Sequence, residues 1–147
     1  MKMNDIRGKR FDRIVVGIDG SPSSGATLEW AANQAKLTGS NLEVLNTWEW
    51  PATSGWAVPI PSDFDPRAEA VNQVDRDVKS VRDRFPGVSI HVHVVEGHAA
   101  PTLVEASHEA DLLVVGSKGQ GEFAGMLLGS VSDYVAHHAR CPVVILR

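Results

Sequence analysis

Leu112-Leu113-Val114-Val115-Gly116-Ser117-Lys118-Gly119 decides how the rest of the chain folds. An unbroken apolar run rich in β-branched residues reads as a strand buried on both faces. It ends in glycine. Gly129-Ser130-Val131-Ser132 follows, where a helix is expected to begin. The pattern is Gly, two residues, Gly, nine residues, Gly, Ser. A glycine-rich connection from strand to helix N-terminus brings backbone N–H groups and the positive end of a helix dipole to one point. That suits phosphate groups.

The same strand grammar recurs outward. Residues 13–18 (RIVVGI) form a first buried strand, and Asp19-Gly20 turns the chain. Ser21 as N-cap and Pro22 at the first helical position predict a helix to about Leu37. Residues 41–48 read as a second strand. Residues 49–63 hold Pro51, Gly55, Pro59 and Pro61 with Trp50 and Trp56, and form a long loop. Val71, Val74, Val78, Val81 and Phe85 recur on one helical face over 66–85. In 88–95, His91 and His93 alternate with Val92 and Val94, as on an edge strand with one wet face. A helix over 101–109, the strand 111–115, a helix over 130–139 and a last strand 142–146 complete the order β-α-β-α-β-α-β-α-β. Alternating strands and helices predict a doubly wound α/β fold, a parallel sheet with helices on both faces. Ligands of such sheets bind beyond the strands' carboxyl ends, at the topological switch point. Asp19 and Gly116–Gly119 both lie at such ends.

Composition narrows the function. The chain has 147 residues, 43% hydrophobic, with a formal charge of -4 and one cysteine. This fits a single domain over 1–147, residues 1–10 being a flexible extension. Its scattered cations argue against nucleic acid as partner. No apolar run is long enough for a membrane, and no secretory signal opens the chain. A cytoplasmic protein is expected. Cys141 reads as a small packed residue.

Gly116 and Gly119 allow close backbone approach to a ligand. Lys118 adds a positive charge, and Ser130 and Ser132 add hydroxyls. A plain loop with Gly129 as breaker would also place these glycines, and Ser130 with Asp133 matches a capping box. Asp19 can accept from ribose hydroxyls or help hold a divalent metal beside phosphates, or it can simply make an Asp-Gly turn. Trp48, Trp50 and Trp56 can stack on a base or serve the core and loop. The histidines form no evident metal site. There is no P-loop pattern, no dinucleotide fingerprint after the first strand and no nucleophile elbow. No general base stands out, so binding is favoured over catalysis.

The chain resembles the universal stress protein family, and its glycine pattern resembles the ATP-binding subgroup. The matching segments are Val16-Gly17-Ile18-Asp19-Gly20-Ser21, the run from Asp111 to Gly119, Leu127-Leu128-Gly129-Ser130-Val131-Ser132 and Cys141-Pro142-Val143-Val144-Ile145. The resemblance implies a five-stranded parallel sheet in order 3-2-1-4-5, with ATP between the ends of strands one and four; Mg is expected to accompany the ATP. It implies that Asp19 contacts ribose, with Gly17 and Ile18 beside it. The backbone at Thr47 would meet the adenine, and Val115 and Gly116 would border the ribose. Lys118, Gly119, Gly129, Ser130, Val131 and Ser132 would hold phosphates. A homodimer through 142–146 is implied as well. The alternatives are a slow ATPase or autophosphorylating enzyme, and a cyclic-nucleotide (cAMP) binder.

Overall fold

The computed structural model describes residues 11–51, 59–119, 125 and 127–147. The expected N-terminal extension and Trp56 lie outside the described residues. Nine elements follow in order: β1 (Arg13–Gly17), α1 (Ser24–Thr38), β2 (Asn41–Trp48), α2 (Pro66–Arg84), β3 (Ile90–Glu96), α3 (Ala99–Ser107), β4 (Leu112–Gly116), α4 (Ser130–His138) and β5 (Val143–Leu146). The strands form one parallel sheet ordered β3-β2-β1-β4-β5. The doubly wound order expected above is the one observed.

Burial explains why the apolar runs were continuous. On one face Ile14, Val16, Leu42, Val44 and Val114 pack with Leu28, Ala31, Ala32 and Ala35 of α1 and with Val74, Val78 and Val81 of α2. On the other, Val15, Leu45, Leu113 and Val115 pack with Leu103 of α3 and Val135 of α4. Neighbouring residues of β1 and β4 thus serve opposite cores, so neither strand alternates apolar with polar. β3 is an edge: His91 and His93 are exposed while Val92 and Val94 are half-buried. His93 Nε2 reaches Glu43 Oε2 of β2 at 2.9 Å.

Several boundaries shift. α1 begins at Ser24, not at Ser21. The Asp19 carboxylate accepts from the Ser21 N–H and from the Ser24 hydroxyl, both at 2.9 Å. Those bonds, with Gly20 at φ 75°, wind residues 20–23 into a turn that delays the helix. α3 begins at Ala99, two residues before Pro101, because proline is tolerated anywhere in a first turn. The capping box does not form. Gly129 is the N-cap of α4, and its N–H is tied to the Ser117 carbonyl at 2.5 Å. That tether moves Ser130 into the first helical position.

The start of α2 is capped by a side chain. Asp65 precedes Pro66, and its Oδ1 accepts from the N–H groups of Arg67 at 3.0 Å and Ala68 at 3.1 Å. Asp65→Ala is expected to cost about 1 kcal/mol of unfolding free energy, measured by urea denaturation.

Candidate functional site

The sheet order puts the switch point between β1 and β4. β1 connects through α1 to β2 on one side and β4 through α4 to β5 on the other, so their connections leave in opposite directions and open a crevice at their carboxyl ends. A cleft occupies that place. Gly17, Ile18 and Asp19 from the end of β1 line it, with Thr47 from β2 and Val115 and Gly116 from β4. Lys118, Gly119, Gly129, Val131 and Ser132 close its far side. Of the residues assigned to a nucleotide from the sequence, Ser130 is outside this lining; it opens α4 as an exposed residue.

Two contacts bring the lips together. The Ser23 hydroxyl of the α1 turn donates to the Lys118 carbonyl at 3.4 Å. Gly119 faces Asp19 so closely that a Cβ on it would sit 2.6 Å from Asp19 Oδ2. Asp19 is held in that position. Besides the two bonds to its Oδ1, its own N–H donates to Ser24 Oγ at 3.2 Å. A similar approach occurs at Gly17, where a Cβ would meet Leu103 Cδ2 at 2.9 Å. Absence of a side chain there lets α3 close on the sheet.

The glycine loop is fastened at its base. Ser132, 2% exposed, aims its hydroxyl between the carbonyls of Ser117 and Gly129, 3.0 Å from each. Ser117 in turn donates its N–H to the Leu146 carbonyl of β5 at 2.6 Å. So the hydroxyl of Ser132 sets loop geometry, and the α4 N-terminus is held pointing at the cleft.

The lining divides chemically. Leu45, Ala99, Leu103, Val115 and Val131 make one apolar wall. Ser21, Ser23, Ser24 and Thr27 make a hydroxyl wall opposite. Among the described lining residues Lys118 is the one cation and Asp19 the one anion. A flat apolar ring fits the first wall, and hydroxyl-bearing groups of a ligand fit the second. Sequence reasoning missed most of both walls. The serines had a signal, since Ser21, Ser23 and Ser24 directly follow Asp19-Gly20. Ala99 and Leu103 had none, because their place depends on how α3 packs. Trp48 and Trp50 stack edge to face at 6.1 Å, and neither lines the cleft. Among the described residues, no group of three or more His, Cys, Asp or Glu could hold a metal ion. No helix there is long and apolar enough to cross a membrane.

Fold and cleft together define a doubly wound α/β protein with a cleft at its topological switch point. The model of the universal stress protein family matches residues 10–147, and the chain belongs to that family. A universal stress protein of Mycobacterium tuberculosis is 38% identical over 140 residues, covering 91% of this chain. The chain spans only 43% of that relative's length. A universal stress protein solved in complex with cAMP is 29% identical, with a TM-score of 0.64 over 95% of this chain and 98% of that one. The universal stress protein UspA from Lactobacillus plantarum, 23% identical, shares the fold with a TM-score of 0.71, over 95% of this chain and 99% of that one.

Proposed function

We propose that the chain is a nucleotide-binding regulatory protein of the stress response, with ATP as its ligand. The observation that carries this reading is the approach of Gly119 to the Asp19 carboxylate across a cleft with one apolar and one hydroxyl wall. Asp19 would take the ribose, beside Gly17 and Ile18. The Thr47 backbone would meet the base, with Val115 and Gly116 at the sugar. Lys118, Gly119 and the start of α4 from Gly129 to Ser132 would hold phosphates.

Magnesium fits as a companion of the phosphates rather than as a resident ion. The lining offers one carboxylate, Asp19, whose Oδ1 already accepts two hydrogen bonds. Magnesium is commonly held by one or two carboxylates together with substrate phosphates. The bound metal would supply countercharge that Lys118 alone does not.

The reading is of binding rather than turnover: occupancy of the cleft would bias a surface that a partner reads. A homodimer through residues 142–146 would follow from the position of β5 at the sheet edge. We place the protein in the cytoplasm, as one domain over 1–147. The 29% identical relative bound to cAMP favours a cyclic nucleotide as the second reading.

Ligand released from freshly purified protein and identified by mass spectrometry tests the proposal. Bound ATP, together with a rise in melting temperature on adding Mg-ATP, is the expected result. Released cAMP would favour the second reading. No nucleotide and no thermal shift with either compound would end both. Phosphate release in a single turnover would instead make the protein an enzyme.

A further inference from the structure

Asn46 is buried, 6% exposed, near the carboxyl end of β2. Its neighbours Leu45 and Thr47 line the cleft, and strand alternation turns Asn46 to the opposite face, beneath the cleft floor. Its Nδ2 donates to the Ile18 carbonyl at 2.9 Å. Its Oδ1 is also buried and accepts no hydrogen bond from the described residues.

The bond is placed where the pairing of β1 with β2 runs out. The β1–β2 register ends at Gly17 opposite Leu45. One further backbone bond, from the Ile18 N–H to the Leu45 carbonyl at 3.0 Å, extends the pairing. The Ile18 carbonyl then meets a side chain, Asn46. That carbonyl and the Asp19 N–H belong to one peptide unit, and the Asp19 N–H donates to Ser24 Oγ at 3.2 Å. The unit is therefore pinned at both ends, by β2 and by α1. Its plane sets the direction in which the Asp19 side chain leaves the backbone.

Stability alone explains asparagine poorly here. A buried amide oxygen without a donor is a cost. Leucine of similar bulk would remove that orphan while leaving the Ile18 carbonyl short of one donor, so the gain and the loss offset each other. A residue that gives the fold no clear net gain at the edge of a site is expected where geometry of the site demands it.

We propose that Asn46 is a positioning residue of the cleft: by holding the Ile18 carbonyl it aims the Asp19 carboxylate at the ligand. The proposal rests on the nucleotide reading above for its binding arm. Asn46→Leu should weaken binding of Mg-ATP, or of cAMP if that is the ligand, by about tenfold. Its melting temperature should stay within about 4 °C of the parent. A double-mutant cycle separates positioning from a general structural effect. Since Asn46 acts through Asp19, the double variant with Asp19→Asn should bind no more weakly than Asp19→Asn alone. Losses that multiply, or an affinity for Asn46→Leu within about twofold of the parent, would overturn the assignment.

Amide hydrogen exchange without ligand provides the arm that does not depend on nucleotide. In Asn46→Leu the Asp19 amide should exchange faster while those of Val15 and Val16 keep their protection. If the parent binds neither Mg-ATP nor cAMP, the nucleotide reading falls. Unchanged exchange at Asp19 would then refute the role of Asn46 separately.

Discussion

Gly119→Val lowers nucleotide affinity by about a hundredfold or more and leaves the fold intact: this is the largest functional effect expected of any single change in the cleft. The reason is local. A Cβ at this position would lie 2.6 Å from Asp19 Oδ2 and 3.8 Å from Asp19 Cγ. The carboxylate cannot swing aside without loss, because its Oδ1 is held by the Ser21 N–H and the Ser24 hydroxyl. Either those bonds break or the 117–119 segment moves outward. Both outcomes separate Asp19 from the glycine loop, and a branched side chain then fills the space a phosphate or sugar needs. The fold tolerates this because the clash lies at the cleft mouth, away from both cores. Calorimetric titration with Mg-ATP and with cAMP, beside a thermal melt, reads both quantities. Gly87→Ala is the control: a Cβ there meets nothing within 4 Å, and binding should not change. Unchanged affinity in Gly119→Val would remove the glycine loop from the site.

Half of that site is legible in the sequence. Glycines spaced to free a loop between strand and helix are a local signal, and so is an aspartate at a strand end. Their meeting is not local. It needs β4 beside β1, and the order β3-β2-β1-β4-β5 supplies it. The strands were legible for a related reason: Ile14, Val15 and Val16 are all nearly fully buried, which a continuous apolar run announces. Helix starts were read less well. Ser21 and Ser130 each have the chemistry of an N-cap, yet Ser23 and Gly129 take that position. In the first case the competing acceptor, Asp19, comes from the preceding turn. In the second the Ser117 carbonyl captures Gly129 from the far end of the loop. Side-chain propensity loses to tethers of that kind. The wall made by Ala99 and Leu103 was invisible for a similar reason, since nothing in the local pattern of α3 says that Gly17 will let it close on β1.

Leu113→Ala carries the largest expected cost in stability, about 3 kcal/mol by chemical denaturation. Leu113 is 0% exposed. It pairs in register with Val15 of β1 and Val143 of β5, so its strand cannot shift to fill a void. Its side chain belongs to the cluster of Leu45, Leu103, Val115 and Val135, of which Leu45, Leu103 and Val115 also form the cleft's apolar wall. Domains of this size are stable by only about 5–15 kcal/mol, so the loss is a large share of the margin. Leu37→Ala, at a position 70% exposed, should change stability by less than about 0.5 kcal/mol. The pair also separates fold from site. Leu113 does not line the cleft, so folded Leu113→Ala should bind nucleotide within a few-fold of the parent. A ligand that binds only the folded state stabilises it by about 2.7 kcal/mol at a hundred times its dissociation constant. Saturating nucleotide should therefore return most of what Leu113→Ala removes, and return nothing to Gly119→Val, whose fold was never the part in deficit.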